Sequence, residues 1–308
     1  EEDAEDAPRQ PATVDLPPAD NSAMDGYAIR HADYRPGVAM PIQQRSYAGE
    51  QPQPLVAGQA TRLFTGSLIP QGADTVVMQE NTREADGMVE ITTAPQAGQH
   101  VRKQGEDVRC GTPLLPAGTL LQAAHVALLA SQGLDKIEVY PRLRVGILTT
   151  GDELAVPGQA REAGHVYNSN GPMLTALAQG LGAHVAQVRH ARDDAADLQA
   201  ALRALQADCD LVISVGGVSV GDHDLVKPAI ESLGGELALW KVRMKPGKPV
   251  AMARLDGKLI VCLPGNPVSA YSVFAVLVSP MIRRMQGRSR IYPPVMRAAL
   301  RTEKTRQD

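Results

Sequence analysis

The chain has 308 residues, 44% of them apolar but only 3% aromatic, and 31 Lys and Arg against 34 Asp and Glu leave a formal charge of −3. Its length predicts two or three domains with real cores, because a chain of this size buries roughly three-quarters of the surface it exposes when unfolded. The near-neutral balance excludes a global attraction for nucleic acid or an anionic membrane, and the most apolar stretch, residues 270–285, is too short and too interrupted by Ser, Pro and Arg to span a bilayer.

The opening EEDAED reads as a solvated charge run. Residues 1–107 are rich in Pro, Gly and Gln, with short alternating runs (YAIRHADY, TRLFTG, ADTVVMQE, GMVEITT). The pair Asp86-Gly87 falls where a hairpin turn would. A mostly β module is predicted here. In residues 108–141 the stretch PAGTLLQAAHVALLASQGL carries apolar residues at helical spacing. It stops near Gly133, ahead of the strand-like DKIEVY, and reads as part of a linking domain.

From residue 142 the pattern becomes βαβα. Strands are predicted at 142–150, 184–190, 209–217, 236–243, 249–255 and 258–265, and helices at 171–182, 195–206, 224–235 and from Asn266. Such alternation makes a mainly parallel, doubly wound sheet with helices on both faces and ligands at the carboxyl ends of its strands. The cysteines, Cys110, Cys209 and Cys262, have neither disulfide nor zinc spacing, which suits a reduced, cytoplasmic setting. No signal peptide is visible, although the chain does not begin with Met.

Four predicted strands deliver polar or glycine-rich loops to one edge: GDE (151–153), Asp193-Asp194, GGVSVGDHD (216–224) and LPGNPVS (263–269). Asp and Gly are ordinary turn residues singly, but their recurrence points to a shared site. Asn266 as N-cap and Pro267 at the first helical position predict a helix start with free amides, suited to an anion. In WKVRMKPGKP, strand geometry would place Lys241, Arg243 and Lys245 on one side, with Lys248 nearby. These cations suit several phosphates. Carboxylates in the same pocket then call for a divalent cation, since Mg²⁺ takes oxygens from carboxylates and phosphates together. The spacing G-G-x-x-x-G, with no acid at the ribose distance, excludes a nicotinamide fingerprint, and P-loop, GxSxG and HExxH patterns are absent.

Jointly and in this order, DNSAMDGYAIR, FTG…P.GAD.VV..E, GED, TTGDEL, Y.SN, R.D, SVGGVSVGD.D, KPGKP and LPGNPVS resemble the molybdopterin molybdenumtransferase family (MoeA and the gephyrin E domain) from about residue 12 to 290. The resemblance implies an α/β multidomain fold. Its parts are a linking α+β domain (1–19 and 108–140), a mostly β domain (20–107), a doubly wound molybdopterin-binding domain (141–290), and the start of a largely absent C-terminal β domain (291–308). It implies insertion of molybdenum from molybdate into adenylylated molybdopterin with Mg²⁺-dependent release of AMP, at a site between subunits of a homodimer. The molybdopterin adenylyltransferase is implied as a further partner.

By matching positions, Asp25, Thr65, Asp107, Glu153, Asp193 and Asp224 are the implied catalytic residues, with Glu153, Asp193 and Asp224 as metal ligands. Lys241, Lys245 and Lys248 are implied to hold phosphate and molybdate. Gly216, Gly217, Ser219, Pro264, Gly265, Asn266, Pro267 and Ser269 would surround the pterin or nucleotide phosphates. Two alternatives stay open: adenylylation of molybdopterin, which should not need the β module with Asp25, Thr65 and Asp107, and a gephyrin-like scaffold without catalysis.

Overall fold

The computed structural model describes residues 9–217, 225–293 and 295–299. Ser219, Gly221, Asp222 and Asp224, the opening EEDAED and the closing RTEKTRQD lie outside the described residues. The chain forms two compact units. The first comprises the residues up to Pro116 and Leu121–Lys136, and the second Ala117–Leu120 with the chain from Ile137 onward.

In the first unit the strands are β1 (Arg9–Pro11), β2 (Asn21–Ser22), β3 (Gly26–Ile29), β4 (Met40–Ser46), β5 (Ala60–Leu63), β6 (Thr75–Met78), β7 (Thr82–Ala85), β8 (Met88–Ile91), β9 (Val101–Arg102) and β10 (Pro113–Pro116), followed by helix α1 (Ala123–Ser131). Six of them make one sheet in the order β6-β3-β5-β4-β8-β7. Tyr27, Ile29, Met40, Ala60, Val77, Val89 and Ile91 fill one cluster, and Ala28, Leu63 and Val76 a second, as alternation along a strand requires. The expected turn at Asp86-Gly87 joins β7 to β8, with φ of 49° and 74° at the two residues, the left-handed pair that a type I′ hairpin needs. β7 carries no apolar alternation because all but its first residue are exposed.

β1 pairs with β10, and the Gln132 side chain beyond α1 accepts the amides of Thr13 (2.8 Å) and Val14 (3.1 Å). The segments 9–14 and 113–132 are thereby joined. DKIEVY forms no strand, and Val139 and Tyr140 are largely exposed.

The second unit contains β11 (Arg144–Thr150), β12 (Leu154–Ala155), β13 (Val166–Tyr167), α2 (Asn170–Gly180), β14 (His184–Ala191), α3 (Ala195–Asp208), β15 (Leu211–Val215), α4 (Val226–Ser232), β16 (Glu236–Trp240), β17 (Ala251–Leu255), β18 (Lys258–Leu263), α5 (Pro267–Val273) and α6 (Ser279–Met285). Residues 274–278 make a π-helical turn between α5 and α6. Its sheet runs β14-β11-β15-β18-β17-β16, with the first four strands parallel, β17 reversed, and β16 antiparallel to β17.

Both faces are covered. Val145, Ile147, Ile213, Val261 and Leu263 pack with residues of α2, α5 and α6, whereas Leu148, Val212, Ile260 and Cys262 pack with α3 and α4. Strands buried on both sides read as continuous aliphatic runs, which is why they were legible. Chain order places β14 on one side of β11 and β15 on the other, so the loops leaving β11 and β15 diverge at a topological switch point, the expected position of a ligand crevice. The short segment Ala117–Leu120 also belongs to this unit: the Gly118 carbonyl accepts the Ser289 amide at 3.0 Å.

Candidate functional site

At the switch point the Gly216 amide donates to the Leu263 carbonyl (3.2 Å), bringing the ends of β15 and β18 together. Gly216 and Gly217 have φ of 98° and 63°. A Cβ at Gly216 would lie 2.7 Å from the Thr150 carbonyl, and one at Gly217 would lie 2.7 Å from Val226 Cγ2, so both positions require glycine. Gly265 differs. Its added Cβ would meet only the Gly216 Cα, at 3.7 Å, so its lack of a side chain leaves open space beside the turn. The Thr150 hydroxyl, packed under Gly216 and Gly217, is buried and without a described hydrogen-bond partner.

The N-terminus of α2 closes the same edge. Asn168 accepts the Gly171 amide (3.0 Å) and donates to the Thr149 hydroxyl (3.0 Å), while Asn170 Nδ2 donates to the Gly265 carbonyl (2.8 Å). Buried Asn170 Oδ1 has no partner among the described residues. Thr150 and Asn170 fall inside the TTGDEL and Y.SN motifs, which attach no role to either, and Asn168, at the variable position of Y.SN, carries no signal beyond a short polar run ahead of an apolar helix.

The acids divide by role. Asp152 Oδ1 accepts the Asp193 amide (3.1 Å) and Asp193 Oδ2 the Asp152 amide (3.4 Å), which joins the ends of neighbouring β11 and β14. Asp194 caps α3 by accepting the Asp197 amide at 3.0 Å. Hydrogen bonds from the Arg192 backbone and then its side chain hold the Asp197 carboxyl below the usual range. The Glu153 carboxylate folds over the Cα of Gly151. Asp152, Glu153 and Asp193 are exposed, and no group of three metal-ligating side chains forms among the described residues.

Two expectations need correction. The first turn of α5 does not offer free amides: Asn266 Oδ1 accepts from Val268 (3.0 Å) and Ser269 (3.2 Å), and Pro267 has no N–H. The same residue choice that starts the helix satisfies its donors. Lys241 is not on a strand either. β16 ends at Trp240 and Lys241 has φ of 64°. The alternation survives because Val242 and Met244 pack against the core, leaving Lys241, Arg243, Lys245 and Lys248 exposed, with no ion pair among the described residues. The Lys241 ammonium lies 5.8 Å from the centre of the Trp240 ring.

The first unit holds its own polar cluster. Asp25 Oδ1 accepts both the amide and the hydroxyl of Thr65, each at 2.7 Å. These two bonds, the backbone one first, hold the Asp25 carboxyl below the usual range against the opposing effect of desolvation. Asp107 is exposed and its amide donates to the Leu16 carbonyl (2.9 Å), with its carboxylate unengaged among the described residues. Nearby, the Tyr27 hydroxyl bonds to Glu84, which Arg45 engages at 2.5 Å.

A doubly wound α/β unit with glycine turns and carboxylates at the carboxyl ends of its strands belongs to the class of α/β folds that bind ligands at that edge. The comparisons make that class specific. Residues 7–133 match the MoeA N-terminal region (domain I and II), and residues 146–284 match a probable molybdopterin binding domain. The chain is 38% identical over 291 residues to the molybdopterin molybdenumtransferase of Haemophilus influenzae, covering 94% of this chain and 72% of that protein. It is 40% identical to the one from Nostoc sp., covering 92% and 67%. The crystal structure of the molybdopterin biosynthesis MoeA protein from Pyrococcus horikosii superposes with a TM-score of 0.78 at 32% identity, covering 92% of this chain and 72% of that one. The chain belongs to the molybdopterin molybdenumtransferase family, enzymes of molybdenum cofactor biosynthesis. No described helix is long and apolar enough to cross a membrane.

Proposed function

We propose that this chain transfers molybdenum from molybdate to adenylylated molybdopterin and releases AMP, acting as a homodimer in the cytoplasm and receiving its substrate from the molybdopterin adenylyltransferase. The observation that carries the reading is the joining of strand ends along one edge of the sheet: Asp152 bound to Asp193 at β11 and β14, and the Gly216 amide bonded to the Leu263 carbonyl at β15 and β18. Carboxylates and a side-chain-free backbone surface share that edge, as a phosphate ligand with a divalent ion would need.

The donor set fits Mg²⁺, which takes one or two exposed carboxylates and completes its shell with phosphate oxygens and water. Asp193, with Asp152 or Glu153, would hold it, and Asp224, outside the described residues, is assigned to the same group. When bound, it would neutralise charge on the pyrophosphate as AMP departs.

The remaining work falls to the chain. Lys241, Lys245 and Lys248, joined by Arg243, gather molybdate and phosphate as exposed cations without described ion pairs. Gly216, Gly217 and Gly265 let the backbone approach the phosphates, with the capped loop Pro264–Ser269 and Ser219 around them. Asp25, Thr65 and Asp107 are assigned to the same reaction, Asp25 Oδ2 being the oxygen that Thr65 leaves available.

The test supplies adenylylated molybdopterin, molybdate and Mg²⁺ and follows AMP together with active cofactor. AMP production supports the reading. Adenylyl transfer from ATP without it would assign the chain to the preceding step.

A further inference from the structure

Arg62 is 7% exposed, yet no carboxylate among the described residues forms an ion pair with it. A buried guanidinium without a direct counter-ion is costly, so its remaining contacts must hold it in place. They converge on one spot. Nη1 donates to the carbonyls of Gly26 (3.1 Å) and Leu63 (3.4 Å), and Nη2 donates to Gln79 Oε1 (2.5 Å). The Gln79 amide in turn donates to the Asp25 carbonyl at 3.0 Å. The guanidinium also lies over the rings of Tyr27 (5.0 Å) and Phe64 (4.8 Å). Gly26 follows Asp25 in the chain, and Phe64 precedes Thr65.

We propose that Arg62 is a positioning residue for the Asp25–Thr65 pair. It ties the end of β5 to the start of β3 and to Gln79, so that Oδ1 of Asp25 stays on the two Thr65 donors and Oδ2 stays open towards the substrate. The inference deepens the functional reading above and rests on it for the identity of that substrate. A lysine could keep the charge at position 62 but not the planar fork that serves Gly26, Leu63 and Gln79 at once.

The experiment follows the Asp25 carboxyl by ¹³C NMR titration in the full chain, assigned by its disappearance in Asp25→Asn, and compares wild type with Arg62→Lys and Gln79→Ala. AMP release kinetics are recorded for each. The expected result is an Asp25 midpoint that rises towards the ordinary aspartate value in both variants, with kcat lower by on the order of tenfold and KM little changed. The carboxyl midpoint decides: a wild-type midpoint in folded variants overturns the inference. If Arg62→Lys does not fold, Gln79→Ala, which retains the buried cation and removes one of its anchors, decides alone. A wild-type chain that releases no AMP would instead remove the functional reading, and an active Asp25→Asn enzyme would remove Asp25 from the reaction, while in either case the titration would still rule on Arg62.

Discussion

Asn170 Nδ2 donates to the carbonyl of Gly265 at 2.8 Å, fastening the first residue of α2 to the loop after β18. The bond spans 95 residues of sequence and fixes the loop after β18 against the start of α2. Asn170→Ala removes a part-buried hydrogen bond whose acceptor can turn to water, and should cost about 0.5–1.5 kcal/mol. A urea titration of the chain would measure it, with substrate affinity falling in parallel.

Gly216 and Gly265 separate two reasons for glycine. Gly216→Ala forces a Cβ against the Thr150 carbonyl at φ 98°, and a loss of about 1–2 kcal/mol or more is expected in thermal unfolding. Gly265→Ala meets open space and should keep the wild-type melting temperature. If the phosphates approach this backbone, Gly265→Ala still weakens substrate binding, and calorimetric titration would record a higher Kd.

Asp25→Asn removes the charge that Thr65 orients. AMP release should fall about a hundredfold or more, and Thr65→Val, which removes one of two donors, should fall less. Single-turnover measurement of AMP release compares the two directly.

Lys241, Lys245 and Lys248 form no described ion pairs, so alanine at any one should change stability by less than about 0.5 kcal/mol. Where the ammonium touches a bound anion, the same substitution should weaken binding by about 1.5–3 kcal/mol, roughly 10- to 150-fold in Kd. The salt dependence of Kd should flatten with each substitution.

Stability should fall on acidification. Asp20, held by Lys103 at 2.8 Å, and Asp25 both titrate below the ordinary aspartate value of 3.8. A depressed folded value contributes stability that is fully present above 3.8 and is lost as pH drops through the folded values. The opposite sign applies to Tyr27, whose hydroxyl burial and then its bond to Glu84 push up to about 12. Its contribution is complete below 10 and disappears as pH climbs from 10 to about 12. Absorbance at about 295 nm should show one tyrosine ionising late, and Tyr27→Phe should abolish that step.

The βαβα half was legible because buried parallel strands are unbroken aliphatic runs and their ends are marked by Gly and Asp. Three features were not. β7 has a polar, exposed sequence and exists through its hairpin partner. The strand break at Lys241 depends on a left-handed backbone that no residue type announces. Asn266 signalled a helix start correctly, but the same cap consumes the amides that its position suggested for an anion. Asp25 and Thr65, drawn from two separate motifs, are joined by two hydrogen bonds that neither motif announces. Arg62, three residues before Thr65, looks like any strand cation until its burial is known.

The excursion of Ala117–Leu120 has a practical corollary for dissecting the protein. The backbone passes from one unit to the other at Pro116/Ala117, returns at Leu120/Leu121 and leaves again at Lys136/Ile137. A single cleavage therefore cannot release two intact bodies. A fragment made from Ile137 onward would carry a Ser289 amide deprived of its Gly118 acceptor, and should regain that bond only when the preceding fragment is added back, as in complementation of a split protein.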